Sequence, residues 1–229
     1  MHLLLPVALF FGLIYAPHLW VQWVLRRYSA PIPGCRWTGG ELAEHLLLRR
    51  GVEGVVVRVT DQVDHYDSER RSVGLREQHF HGRSLTALTV AAHEVGHALQ
   101  HADGDRPLAV RRRLLLRAAS LDQVLPWAIG AMVVAALVVR VPAFFLLIVI
   151  LYMTAGALRT LAHLLSLPVE WDASFNRALP LLEETGVLHP RDMAAAQRVL
   201  TAAALTYVAG SLRRLIHLRW WLRKAVLRV

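Results

Sequence analysis

The segment of this chain best equipped for chemistry is His93-Glu94-Val95-Gly96-His97. On a helix, residues four apart share one face, a turn apart. His93 and His97 can therefore each turn an imidazole nitrogen toward one ion, at about 2.0–2.1 Å. Glu94 sits one position round the helix, poorly placed to be a ligand but able to reach a water on that ion. This is the HExxH spacing of zinc hydrolases, in which the glutamate is the general base. Ala91, Ala92, Gly96 and Ala98 give the segment small side chains, so neighbouring elements can approach closely. The bland alternative is a helix with two incidental histidines.

A catalytic zinc takes three protein ligands and keeps one position open. His101 continues the histidine stripe, but it lies eight residues from His93, about 12 Å along a helix axis. It is expected at the helix end or behind the ligands. The favoured third ligand is Glu170, in the first turn of a helix restarted by Pro168. Its rivals are Asp172, which projects about 200° away from Glu170 on a regular helix, and His163. The expected site is one Zn2+ held by His93, His97 and Glu170, with Glu94 as the catalytic residue. Tyr66, Arg177, His163 and Tyr207 are possible donors to a developing oxyanion.

The elements that must position these residues show in the patterning. The chain has 229 residues, 55% hydrophobic and only 19% charged, with mean hydropathy +0.38. That excludes a disordered chain. A lone Cys35 excludes a disulfide-stapled fold and a multi-cysteine zinc site. Residues 1–25 carry no charged side chain and are long enough to cross a bilayer, so an uncleaved N-terminal transmembrane anchor is expected. Residues 124–158 hold two further uncharged runs split by Arg140, the pattern of a transmembrane hairpin. Arginines flank the spans at Arg26, Arg27, Arg111, Arg112, Arg113, Arg117 and Arg159. By the positive-inside rule, residues 26–123 and 159–229 then share the cytoplasmic side and can build one catalytic domain.

Within that domain Thr38 and Glu41 have capping-box spacing for a helix over 39–50. Val55–Val59 reads as a strand, with Ser72–Leu75 pairing to it across a polar turn at 61–71. Ser84 can cap the HExxH helix, which runs to Ala102 and stops at Asp103-Gly104. Pro190 opens a last helix, over 191–212, expected to pack on the domain rather than form a fourth span. The fold class expected is a mainly α integral membrane protein with three transmembrane helices. To these is added a small α+β zincin-like (gluzincin-type) cytoplasmic domain with a short β-hairpin.

Residues 213–229 form a basic tail with Arg213, Arg214, Arg219, Arg223, Lys224, Arg228, Trp220 and Trp221. Its stripe of Leu215, Leu218, Leu222 and Val226 suits an amphipathic helix on anionic lipid. No recognised nucleic-acid fold accompanies it, so nucleic acid is not an expected partner.

Three blocks resemble the membrane zinc metallopeptidases called YugP-like neutral zinc metallopeptidases. They are Asp64-His65-Tyr66-Asp67, Gly82-Arg83-Ser84 leading into Val90 to Ala98, and Leu167-Pro168-Val169-Glu170 with Asp172-Ala173-Ser174 and the later run Ala203 to Ala209. The resemblance spans nearly the whole chain. It implies a zinc-dependent, multi-pass peptidase of a bacterial inner membrane, with His93 and His97 as ligands and Glu94 as acid/base. The Glu170 block is also similar to the Glu-x-x-Ala-Asp element of peptidases related to the prenyl-protein endopeptidases. There the glutamate is a ligand and the aspartate orients a zinc-binding histidine. Here Ser174 stands at the aspartate position and brings no charge. The substrate implied is a peptide or protein associated with a membrane. The rival from another class is a catalytically idle zinc-binding scaffold.

Overall fold

A computed structural model describes residues 4–105 and 166–214, with scattered positions between 110 and 154. Its elements are α1 (Leu4–Arg27), α2 (Gly39–Arg49), β1 (Val56–Val59), β2 (His65–Asp67), β3 (Ser72–Leu75), α3 (Glu77–Phe80) and α4 (Leu85–Ala102). Then come α5 (Leu167–Trp171), a π-helical stretch (Asp172–Ala178), α6 (Leu179–Thr185), a 3-10 turn (Pro190–Asp192) and α7 (Met193–Arg214). Residues 16–108 and 167–206 make one compact unit, which carries α4 and Glu170. Residues 1–15, 109–166 and 207–229 make the other.

Local chemistry sets the helix starts. Thr38 Oγ1 accepts from Glu41 N, and Thr38 N donates to the Glu41 carboxylate at 2.8 Å, closing the capping box of α2. Ser84 Oγ accepts from Ala87 N and caps α4. α4 is the centre of the unit: 15 of its 18 residues are buried, so it reads as apolar almost all round apart from its histidines and Glu94. Leu42, Leu46, Leu88 and Val95 fill the space on its α2 side, and Leu181, Leu182 and Leu200 are buried among the later helices.

The sheet differs from the expected hairpin of β1 with β3. Its order is β1-β3-β2, with β1 parallel to β3 and β2 antiparallel to it. The polar stretch taken for a turn contains β2, so the hairpin is β2–β3. Asp67 Oδ1 accepts from Glu69 N and Arg70 N and bends the chain there. The turn ends at Arg71 in the left-handed region, φ 47°. Asp64 pins the start of β2: it accepts from Arg76 N and Nε and, at 2.9 Å, from His79 Nδ1. Burial pushes the Asp64 carboxyl up, but the bonds and charges of His79 and Arg76 outweigh it and hold it below its ordinary value.

The expected fold class of an integral membrane protein with three transmembrane helices is corrected. Among the described residues no helix is long and apolar enough to cross a membrane. What they form is an α+β fold with a small three-stranded sheet. One physical reason is visible at the end of α1. Val21 and Val24 are buried, the Leu25 carbonyl accepts from Thr86 Oγ1, and the Tyr28 carbonyl accepts from Thr86 N. Val21 and Val24 are thus buried where this end is tied to α4 through Thr86, while Leu19, Trp20 and Trp23 stay exposed. The expected hairpin at 124–158 lies almost wholly outside the described residues. With no span among the described residues to orient, the argument from arginine positions for a cytoplasmic active site loses its footing. α7 behaves as expected of a packed helix, with Ala196, Val199, Leu200, Ala202 and Ala204 buried.

Candidate metal centre

α4 places His93 and His97 on one face, with ring centroids 4.8 Å apart. α5 brings Glu170 against them. Its Oε2 lies 3.3 Å from His93 Nε2 and 3.2 Å from His97 Nε2. All three side chains are at most 5% exposed. Asp172, the rival in the same helix, is not in the cluster; among the described residues the set that could hold a metal is His93, His97 and Glu170. His163 lies outside the described residues.

The hydrogen bonds behind the rings set which nitrogens are left to face Glu170. Gln100 is fully buried, and its Nε2 donates to the Val169 carbonyl at 2.8 Å and to Asp172 Oδ2 at 2.9 Å. That fixes the amide, so Oε1 faces His97 Nδ1 at 2.8 Å and must accept from it. Ser174 Oγ donates to the Leu200 carbonyl and so accepts from His93 Nδ1 at 3.0 Å. Both neutral rings therefore carry their proton on Nδ1. Each presents a bare Nε2 lone pair to the Glu170 carboxylate. Lone pairs facing a carboxylate oxygen at 3.2–3.3 Å repel one another unless a cation sits among them. One imidazolium would turn a single Nε2 contact into a hydrogen bond and leave the other lone pair facing the carboxylate; two would bury two positive charges beside one carboxylate, leaving one uncompensated. The spacing fits a metal: ligand atoms about 2.05 Å from a tetrahedral ion are about 3.3 Å apart.

The close fit has two local causes. Gly96 lies where a Cβ would run into the Ala173 carbonyl oxygen, so only glycine lets α4 meet the π-helical stretch this closely. The π-helical turn itself begins two residues after Glu170 and widens the helix where the Ala173 carbonyl and the Ser174 hydroxyl face α4. Such turns are rare and concentrate at functional sites. Asp172 does not project away from α4, as regular helix geometry suggests. It bonds Gln100, Asn176 and Arg177. Burial opposes its ionisation, but the bonds from Arg177, Asn176 and Gln100 hold its carboxyl below the ordinary value.

Glu94 is 6% exposed, one position round α4 from His93. Two of the expected oxyanion donors are otherwise engaged. Arg177 is clasped by Asp172 and Asp103, and the Tyr66 hydroxyl bonds His101 Nδ1 at 2.8 Å. His163 and the Tyr207 side chain lie outside what is described. β3, Ser72–Leu75, is the central strand with both edges paired, so it cannot take up a peptide by strand addition.

Comparison with known proteins gives the family. A family model described as "Putative neutral zinc metallopeptidase" matches residues 3–225. The chain belongs to that family. It is also 34% identical over 206 residues, 87% of each chain, to a Bacillus subtilis (strain 168) protein named "Putative membrane protease YugP". No solved structure matches.

For this member of the zinc metallopeptidase family, the residue that reading the sequence missed is Gln100. Its signal was available: a polar amide seven residues from His93 and three from His97, on the ligand face of an otherwise apolar helix. The cluster of Asp64, Arg76 and His79 was missed as well, because its members are joined only by the strand turn.

Proposed function

We propose that this protein is a zinc-dependent endopeptidase with His93, His97 and Glu170 as the metal ligands and Glu94 as general base. The observation that carries the reading is the pair of Nε2 atoms aimed at one Glu170 oxygen, with both Nδ1 atoms already bonded behind; a proton can satisfy one of the two contacts, a metal ion satisfies both at once. The family description supplies zinc and peptide hydrolysis as the matching chemistry. A bound zinc polarises a carbonyl and lowers the pKa of a water toward neutrality. Glu94 takes a proton from the attacking water as its oxygen bonds to the peptide carbonyl carbon. The same carboxyl then delivers that proton to the amide nitrogen as the C–N bond breaks. Ser174 and Gln100 keep both rings in the ligating tautomer. Gln100 also ties α4 to the segment that carries Glu170.

The substrate class is a peptide or protein chain. The deciding experiment is zinc content and peptide cleavage for wild type and Glu94→Gln side by side. The reading expects both proteins to hold zinc and only wild type to cleave. Equal cleavage by both removes Glu94 from the mechanism. A zinc-loaded wild type that cleaves no member of a broad peptide library favours the idle scaffold.

A further inference from the structure

A cavity of about 260 Å³ lies beside the last turns of α4, walled by Tyr66, Arg71, His101, Val52, Val55 and Ala98. Its position relative to Glu94 follows from helix geometry. His101 is seven residues after Glu94. At about 100° per residue that is about 20° short of two full turns, and about 10.5 Å along the axis. The His101 wall of the cavity therefore lies close to the azimuth that carries the general base. An extended peptide advances about 3.3 Å per residue, so about three residues separate a bond held at Glu94 from a side chain in the cavity.

Its chemistry is that of an anion site with an apolar floor. Arg71 donates to the Glu53 carbonyl at 2.8 Å, and among the described residues it has no carboxylate partner. The Tyr66 hydroxyl and His101, bonded to each other, line the same cavity. Val52, Val55 and Ala98 supply aliphatic surface between them. Arg71 also occupies a left-handed backbone position, φ 47°. Asparagine or glycine would hold that position at lower cost, so the turn alone gives no reason for a long cationic side chain there.

We propose that this cavity is a substrate subsite for a carboxylate, either an acidic side chain or a chain terminus, about three residues from the cleaved bond. Arg71 pairs with the carboxylate, Tyr66 and His101 complete its hydrogen bonds, and the valines take the methylenes. The subsite rests on the peptidase reading for its role, but its binding chemistry can be measured without turnover.

The test uses zinc-loaded full-length Glu94→Gln protein and four N-acetylated alanine-based hexapeptides. Three are amidated and end in Glu, Gln or Lys; the fourth ends in Ala with a free carboxylate. Binding is followed by titration. The Glu peptide or the free-acid peptide is expected to bind about tenfold tighter than the Gln peptide, and which of the two does so identifies the carboxylate's source. Adding Arg71→Asn, which keeps the left-handed turn, is expected to erase the preference; Arg71→Lys is expected to retain part of it. Equal binding of all four peptides overturns the subsite, as does a preference that survives Arg71→Asn. Discrimination by the Glu94→Gln protein, with no cleavage by zinc-loaded wild type of these peptides or of any member of a broad peptide library, defeats the peptidase reading and leaves the carboxylate site standing. Cleavage by wild type without discrimination does the reverse.

Discussion

Replacing Gln100 by leucine tests how the ligand set is held. The change keeps the size of the side chain and removes three bonds, to His97 Nδ1, the Val169 carbonyl and Asp172 Oδ2, all 2.8–2.9 Å long. His97 Nδ1–H and the Val169 carbonyl are then left without partners. Each such buried group costs about 1–3 kcal/mol. Asp172 keeps Arg177 and Asn176, so its loss is smaller. Part of the cost falls on the fold. The rest falls on metal binding, because nothing then holds the His97 proton on Nδ1 or the ring in its plane. Losing such an outer partner typically weakens metal binding 10- to 100-fold, or about 1.4 to 2.8 kcal/mol. The assay is zinc competition against a chelator of known affinity, run beside thermal melting of the metal-free protein. Gln100→Leu is expected to bind zinc at least tenfold more weakly. Gln100→Glu keeps the acceptor for His97 but sets an oxygen against the Val169 carbonyl and Asp172. It is expected to melt lower than wild type while losing less zinc affinity than Gln100→Leu. Zinc affinity for Gln100→Leu equal to wild type would refute the argument that the amide sets the ring.

Other expectations follow from the same geometry. Gly96→Ala drives a methyl group into the Ala173 carbonyl; a cost of about 1–3 kcal/mol should appear as a lower melting temperature together with weaker zinc binding. Asp64 has a folded pKa below its ordinary value near 3.8. Its stabilising contribution is therefore complete above that value and is lost as pH falls through the lower folded value. Asp64→Asn should flatten the acid limb of a stability–pH curve, and an unchanged limb would deny the clamp on β2. Deleting residues 213–229 should abolish salt-dependent binding to anionic vesicles, scored by co-sedimentation; retained binding removes the tail as the lipid contact.

The parts of the site legible in the sequence were those governed by a single helix. The HExxH spacing brings His93 and His97 together by the 3.6-residue repeat alone, and Ser84 and Thr38 mark their helices by capping chemistry that needs no tertiary context. Glu170 was legible as a carboxylate just after a helix-starting proline. What was not legible depended on departures from regular geometry. Asp172 bonds Gln100, a tertiary contact that rotation by 100° per residue along one helix does not supply. β1 and β3 pair in parallel because a third strand lies between them in the chain. His65-Tyr66-Asp67 is too short to announce itself by alternation. At the end of α1 only part of the apolar run is buried: Val21 and Val24 face protein while Leu19, Trp20 and Trp23 stay exposed, and hydropathy does not distinguish these surroundings.

The central claim is that His93, His97 and Glu170 close on one zinc ion. An anomalous difference map at the zinc absorption edge, from crystals of the purified protein, addresses it directly. The account predicts one strong peak within about 2.0–2.2 Å of His93 Nε2, His97 Nε2 and a Glu170 carboxylate oxygen. A zinc peak elsewhere, or one bound by the two histidines with Glu170 turned away, would contradict it.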